Sequence, residues 1–229
     1  GGTDSKHFYE LSDNVYRFMM VRLDKQSLKR FHGVNEQLAV DDYIKAAVVG
    51  AGDLFGANVK LSSNGERLII SAFNEMSNST TINAGENLNT IVNGGAVYSF
   101  VKNSSVWSQE AYIKPSAIDA QDRFGLSIAI NDDATTLAVS SPYEDSNATG
   151  INGDATDNSV SFSGGVFIFT RTGTTWAQQA YLKGPYPTPG YFGYSLDLDS
   201  SGNTLLIGAN LESSDASCFN GNSNNNNST

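Results

Sequence analysis

Four carboxylates crowd one stretch of the chain: Glu144 and Asp145 directly after Tyr143, then Asp154 and Asp157. Gly and Asn separate them. Oxygen ligands on a bendable loop are the donor set calcium takes. A solvated acidic loop accounts for the same residues, and it is the plainer reading. The corresponding earlier stretch, residues 74–93, offers only Glu75 and Glu86. A metal shared by every segment is therefore not expected, and calcium is the one cofactor these residues admit. Tyr143 and Phe162, near the two ends of the acidic loop, are aromatic side chains suited to anchoring a partner.

Other residues with chemical potential lead nowhere comparable. His7 and His32 are the two histidines, and both precede any regular pattern. No Gly-x-Ser-x-Gly elbow is present. Cys218 lies in a Ser- and Asn-rich run with no histidine near it, so a thiolate nucleophile has no base. Asp132-Asp133 could pair as glycosidase carboxylates, but they fall in a turn. Gly50-Ala51-Gly52-Asp53-Leu54-Phe55-Gly56 lacks the dinucleotide spacing, and a strand follows it. No enzyme is expected.

Composition narrows the partners. The formal net charge is −10, which repels phosphate backbones and anionic membranes. Neither nucleic acid nor membrane insertion is expected. One cysteine excludes an internal disulfide framework. No apolar run approaches the roughly 18 residues of a membrane helix. Charged residues are 17% and Gly reaches 22 copies, a balance that suits short strands joined by polar turns. Triplets at Asn78, Asn103, Asn147 and Asn227 fit the glycosylation pattern.

The elements that must position the loops repeat. Phe55-Gly56, Phe124-Gly125 and Phe192-Gly193 lie 69 and 68 positions apart. Tyr43-Ile44-Lys45, Tyr112-Ile113-Lys114 and Tyr181-Leu182-Lys183 keep step. Gly94-Gly95 with Gly164-Gly165, and Trp107 with Trp176, recur alongside them. In the middle unit, residues 124–130, 136–140, 165–169 and 176–183 read as strands by alternation and β-propensity. Trp176, Gln178, Ala180 and Leu182 then share one face. Asn131 to Ala134 is a tight turn, and 142–163 a long polar loop. The first unit keeps this order, with strands over 59–61, 68–71, 96–100 and 107–114. The third starts at Tyr191 and reaches a strand over 205–208. Four antiparallel strands per unit, repeated, describe an all-β chain forming part of a β-propeller with blades of about 69 residues. Each Phe is expected to plug the gap between blades. Each Gly lets a neighbouring backbone approach, and Trp107 and Trp176 join the core.

At these residues the chain resembles the FG-GAP repeat, the blade unit of integrin-alpha-type propellers, in a bacterial-style long-loop form. The second strands end on Ser71-Ala72-Phe73, Ser140-Ser141-Pro142 and Gly208-Ala209-Asn210, fragments of that family's Gly-Ala-Pro. The family's calcium loop does not carry over. The connections here are tight turns at 62–65, 131–134 and 199–202, and Ser201 stands where a carboxylate is needed.

The repeat divides the chain into five expected segments. Residues 1–42 are the end of a preceding blade with an insert, 43–114 a first repeat, 115–183 a second, 184–219 the start of a third, and 220–229 a low-complexity tail. Flanking blades of the same chain, and any signal or anchor, are expected outside this segment. The resemblance implies a non-enzymatic extracellular or cell-surface interaction module, adhesion-like, binding protein or glycan through the loops. A scaffold or accessory domain of a larger secreted enzyme is the alternative.

Overall fold

The computed structural model describes Gly50, residues 52–104 and residues 106–212. The chain divides between Ala47 and Val48, and every described residue belongs to the second part. The expected blade end over 1–42, both histidines, Tyr43-Ile44-Lys45, Cys218 and the tail lie outside the described residues.

The described chain is all-β and its sheets are antiparallel. The first sheet runs in order β1 (Val59–Leu61), β2 (Arg67–Ala72), β3 (Ala96–Asn103), β4 (Val106–Ile113). The second is built the same way from β5 (Ile128–Ile130), β6 (Thr136–Ser141), β8 (Gly165–Thr172) and β9 (Thr175–Lys183). It gains a fifth strand, β7 (Gly150–Ile151), which the long loop lays along the free edge of β9. The third sheet pairs β10 (Phe192–Leu198) with β11 (Leu205–Ala209).

The first two strands of each sheet are joined by one turn, built three times. Gly65 N–H donates to Ser62 O, Ala134 N–H to Asn131 O, and Gly202 N–H to Asp199 O. The leading side chain then caps the next strand: Ser62 Oγ accepts from Arg67 N–H, Asn131 Oδ1 from Thr136 N–H, and Asp199 Oδ1 from Thr204 N–H. Short polar side chains bonding nearby backbone are what such turns need.

Successive sheets are tied at the repeat distance. Ser63 N–H donates to Asp132 O and Asp132 N–H to Ser200 O, linking the three turns in a row. One apolar core combines Ile69, Val97, Ala111 and Ile113 of the first sheet with Leu137, Val139, Phe167, Phe169 and Trp176 of the second. A smaller one joins Ala129, Ala138 and Val166 to Phe192, Leu196 and Ile207. Phe124 is fully buried in the first of these, edge-on to Phe167 and Phe169 at 5.8 and 5.9 Å.

Four expectations change. Phe124-Gly125 precedes β5 rather than opening it, as Phe55-Gly56 precedes β1, whereas Phe192-Gly193 opens β10. All three pairs nonetheless share one kind of turn. They are the central residues of turns closed by Ala57, Leu126 and Tyr194 N–H onto Leu54, Arg123 and Tyr191 O. The glycine of each turn needs a positive φ, +90°, +94° and +92° at Gly56, Gly125 and Gly193. A Cβ on Gly125 would also stand 3.1 Å from Ser71 Cβ in the first sheet, and on Gly193 3.2 Å from Ser140 Cβ. That close approach is why the second strand ends on small residues.

The recurring glycine before the third strand is Gly95 with Gly164, not Gly95 with Gly165. A Cβ on either would fall on the backbone of Phe124 or Phe192. The face of β9 differs too, because a bulge at Gln179 shifts the register between Ile168 and Phe169. The extra residue reverses the alternation beyond it, so Trp176 is buried with Tyr181 and Lys183 rather than with Ala180 and Leu182. Trp107 is only half-buried, with Lys102 Nζ 5.9 Å over its ring. Trp176 gains its burial from the sheet before it, donating from Nε1 to Glu110 Oε2 at 3.3 Å.

Candidate functional site

The two long loops leave β2 and β6, and each folds back over its own outer strand. Asn83 N–H donates to Tyr112 O while Asn83 Oδ1 accepts from Tyr112 N–H; Asn152 and Tyr181 repeat the exchange. Each asparagine sits at positive φ, a conformation asparagine tolerates. The loops thereby cover strand edges that would otherwise expose unpaired backbone.

Beneath each loop lies a buried ion pair. Lys114 Nζ meets Glu75 Oε2 at 3.0 Å, and Lys183 Nζ meets Glu144 Oε2 at 2.6 Å. The glutamates' other oxygens accept from Ser77 and Ser146 N–H. Lys114 Nζ donates further to Ser77 O and Gly95 O, and Lys183 Nζ to Ser163 Oγ. Burial pushes both ammonium pKa values down, and the glutamate beside each opposes it. Asp53 and Asp122 are buried close by. Each caps the turn before Phe-Gly, with Asp53 accepting from Gly50 N–H and Asp122 from Asp119 N–H. Burial, then the charges of Glu144, Asp119 and Asp145, raise the Asp122 pKa to about 7.

The four carboxylates singled out in the acidic loop do not converge. Glu144 is buried and committed to Lys183, so it is a structural ion pair rather than a surface ligand. Asp154 accepts from Thr156 N–H and Oγ1, and Asp157 from Asn147 N–H and from Ser159 N–H and Oγ. Those bonds lower both pKa values, and the residues serve their own turns. Asp145 Oδ1 accepts from Phe162 N–H at 2.7 Å. Among the described residues, no three acidic, histidine or cysteine side chains are placed to hold a metal together.

The aromatic residues do converge. Tyr143 packs edge-on to Phe162 at 5.7 Å and to Tyr191 at 5.0 Å. Phe162 and Tyr191 stack 15° from parallel at 5.5 Å. The Arg123 guanidinium lies over the Tyr143 ring at 4.7 Å. Phe162 keeps 40% of its surface in solvent. Tyr191 and Arg123 are not legible as contacts in the sequence, because each sits immediately before a Phe-Gly pair and has no aromatic or charged counterpart in the first repeat, where Leu54 stands. Their signal was positional: Leu54, Arg123 and Tyr191 each precede a Phe-Gly, and all three adopt positive φ. In the first sheet the places of Tyr143 and Phe162 belong to Asn74 and Asn93.

The FG-GAP repeat family model matches residues 107–169. This segment is an FG-GAP repeat. It starts on the outer strand of the first sheet and carries through Phe124-Gly125 to the third strand of the second, so the repeat spans the junction that buries Phe124. Short stretches also resemble hydrolases. Over 43 residues the chain is 42% identical to "Probable carboxypeptidase S-like 1" of Dictyostelium discoideum, covering 19% of this chain and 9% of that protein. Over 39 residues it is 46% identical to "N-fatty-acyl-amino acid synthase/hydrolase PM20D1" of Xenopus tropicalis, covering 17% and 8%. "Carboxypeptidase S" of Saccharomyces cerevisiae matches at 41% over 46 residues, 20% and 8% of the two chains. The chain thus spans less than a tenth of the length of these curated relatives.

Proposed function

We propose that the repeats are blades of a β-propeller and act as a non-enzymatic extracellular or cell-surface interaction module. Its binding surface is the loop face around Tyr143, Phe162 and Tyr191. The observation that carries this reading is the backbone under two of the rings. Phe162 and Tyr191 sit at φ 58° and 52°. A side chain with a Cβ pays about 1–2 kcal/mol in that conformation, which asparagine and glycine visit far more readily. The first repeat places Asn93 at the position of Phe162. Tyr191 shares its positive φ with Leu54 and Arg123 at the recurring turn, so the telling residue is Phe162, a strained aromatic 40% in solvent that use as a contact explains. The strands are committed to packing, so recognition falls to loops held on a rigid frame.

Deleting the loops would uncover strand edges and strand Lys114 and Lys183. The test is therefore the double substitution Tyr143→Asn, Phe162→Asn, which writes the first repeat's residues into the second. Capture of the protein on its native cell or matrix surface should drop at least about tenfold, with an unchanged circular-dichroism spectrum. Capture unaffected by the substitution contradicts the reading.

The hydrolase-like stretches favour a second reading, in which the blades are a scaffold or accessory part of a larger enzyme. Less than a tenth of such an enzyme cannot assemble an active site alone. Peptide or N-acyl-amino acid hydrolysis by this chain in isolation would overturn the non-enzymatic assignment.

A further inference from the structure

We propose that the cluster of Tyr143, Phe162, Tyr191, Arg123 and Asp145 binds a neutral pyranose glycan. The inference rests on the interaction-module reading and names the chemistry of its partner.

Three observations select that chemistry. The first is the aromatic surface. Phe162 is stacked on Tyr191 and remains 40% exposed. The negative face of an aromatic ring attracts weakly positive edges, and the axial C–H groups of a pyranose present such an edge across one flat side.

The second is an unspent guanidinium. Arg123 is held over Tyr143 at 4.7 Å, yet it enters none of the ion pairs among the described residues. Its Nε is buried without an acceptor. A buried unsatisfied donor costs about 1–3 kcal/mol, a cost borne to hold the guanidinium over the Tyr143 ring, where its terminal nitrogens enter no ion pair among the described residues. Asp145 supplies the complementary acceptor. Its Oδ1 is bound to Phe162 N–H, which fixes the carboxylate beside the rings. Donors and an acceptor flanking an aromatic platform match a ring bearing adjacent hydroxyls, each both donor and acceptor.

The third is charge. The chain's net charge of −10 disfavours polyanions at long range. Arg123 in the cluster disfavours a cationic side chain at short range. A neutral polyol escapes both penalties. The first repeat offers a built-in contrast, since Leu54, Asn74 and Asn93 stand where the second has Arg123, Tyr143 and Phe162.

Affinity electrophoresis tests this with the whole chain run in gels containing a β-glucan, an α-mannan, a galactan or, as the acidic probe, alginate. At least one neutral polymer should retard the protein while alginate does not. Arg123→Leu, and separately Tyr143→Asn with Phe162→Asn, should each weaken retardation about tenfold or more. Their thermal midpoints should stay near wild type. Competition by the free monosaccharide reports on the wild-type site even if a variant folds poorly. No retardation by any neutral polymer, retardation by alginate alone, or full retardation of the folded variants would overturn the proposal. If the native surface still captures the protein through the same residues but no glycan does, the glycan chemistry falls and the interaction module stands.

Discussion

At the scale of single residues, the account turns on charges placed where water does not reach. Glu144 stood out in the sequence for the wrong reason, as one acidic residue among four. The useful signal was its recurrence with Lys183 at the spacing that separates Glu75 from Lys114. Two pairs in register mean a shared internal role. That role was hidden because charge alone says nothing about burial. Glu144→Gln leaves the Lys183 ammonium buried without its counter-charge and should cost about 3–5 kcal/mol. Glu144→Leu with Lys183→Met should recover much of that loss, since a buried pair replaced by apolar groups is often nearly neutral. Urea unfolding of the three proteins separates these outcomes. Asp122 predicts a pH dependence. Its pKa rises on folding, from the ordinary 3.8 to about 7, so the folded state binds the extra proton. Stability from this group is complete below about pH 4 and lost as pH climbs through 7. Asp122→Asn keeps an acceptor for Asp119 N–H and should flatten the thermal midpoint between pH 4 and 8, making the variant the more stable protein at pH 8.

At the scale of elements, the strands were readable because β-formers alternate between turns of Asn, Asp, Ser and Gly. Val59–Leu61 falls where alternation puts it, and β2, β6 and β8 start within one residue of expectation. What alternation cannot reveal is an inserted residue. The bulges at Glu110 and Gln179 each flip the second half of an outer strand. Glu110 then reaches Ser99, Arg67 and the Trp176 indole together. The Phe-Gly turn is the most constrained element. Gly125→Ala combines a φ of +94° with a Cβ 3.2 Å from Ala96 O and Val97 Cγ2, and should cost roughly 2 kcal/mol or more. Phe124→Ala empties the core beside it, for about 3–5 kcal/mol. Thermal melts of both variants check the pair, and a Gly125→Ala protein as stable as wild type would mean the turn is looser than drawn. Asn152→Ala should release β7 from the β9 edge, read as faster amide exchange at Tyr181 with little change elsewhere.

At the scale of the whole molecule, the repeat made the architecture visible, since one unit cannot bury both faces of its sheet. The aromatic cluster was harder to foresee. It joins residues from two repeats, and only the turn before Phe192 brings Tyr191 against the loop of the preceding unit. The outer face of the third sheet carries its own consequence. Leu206 is 65% exposed, while its counterparts Ile69 and Ala138 are fully buried. Leu206 shares that face with Asp197, and with Ser195 opposite Gly208, so among the described residues it is the one large apolar contact there through which copies would associate; sedimentation should show a concentration-dependent oligomer that Leu206→Lys reduces. The loop face is the separate matter on which the proposed function rests. Hydrogen–deuterium exchange of the chain, free and bound to its native surface, tests that most directly. The account predicts protection concentrated in peptides covering 121–125, 142–147 and 160–163, with the turns at 62–65, 131–134 and 199–202 unchanged. Protection centred on those turns, with the peptides around Phe162 exchanging as in the free protein, would contradict it.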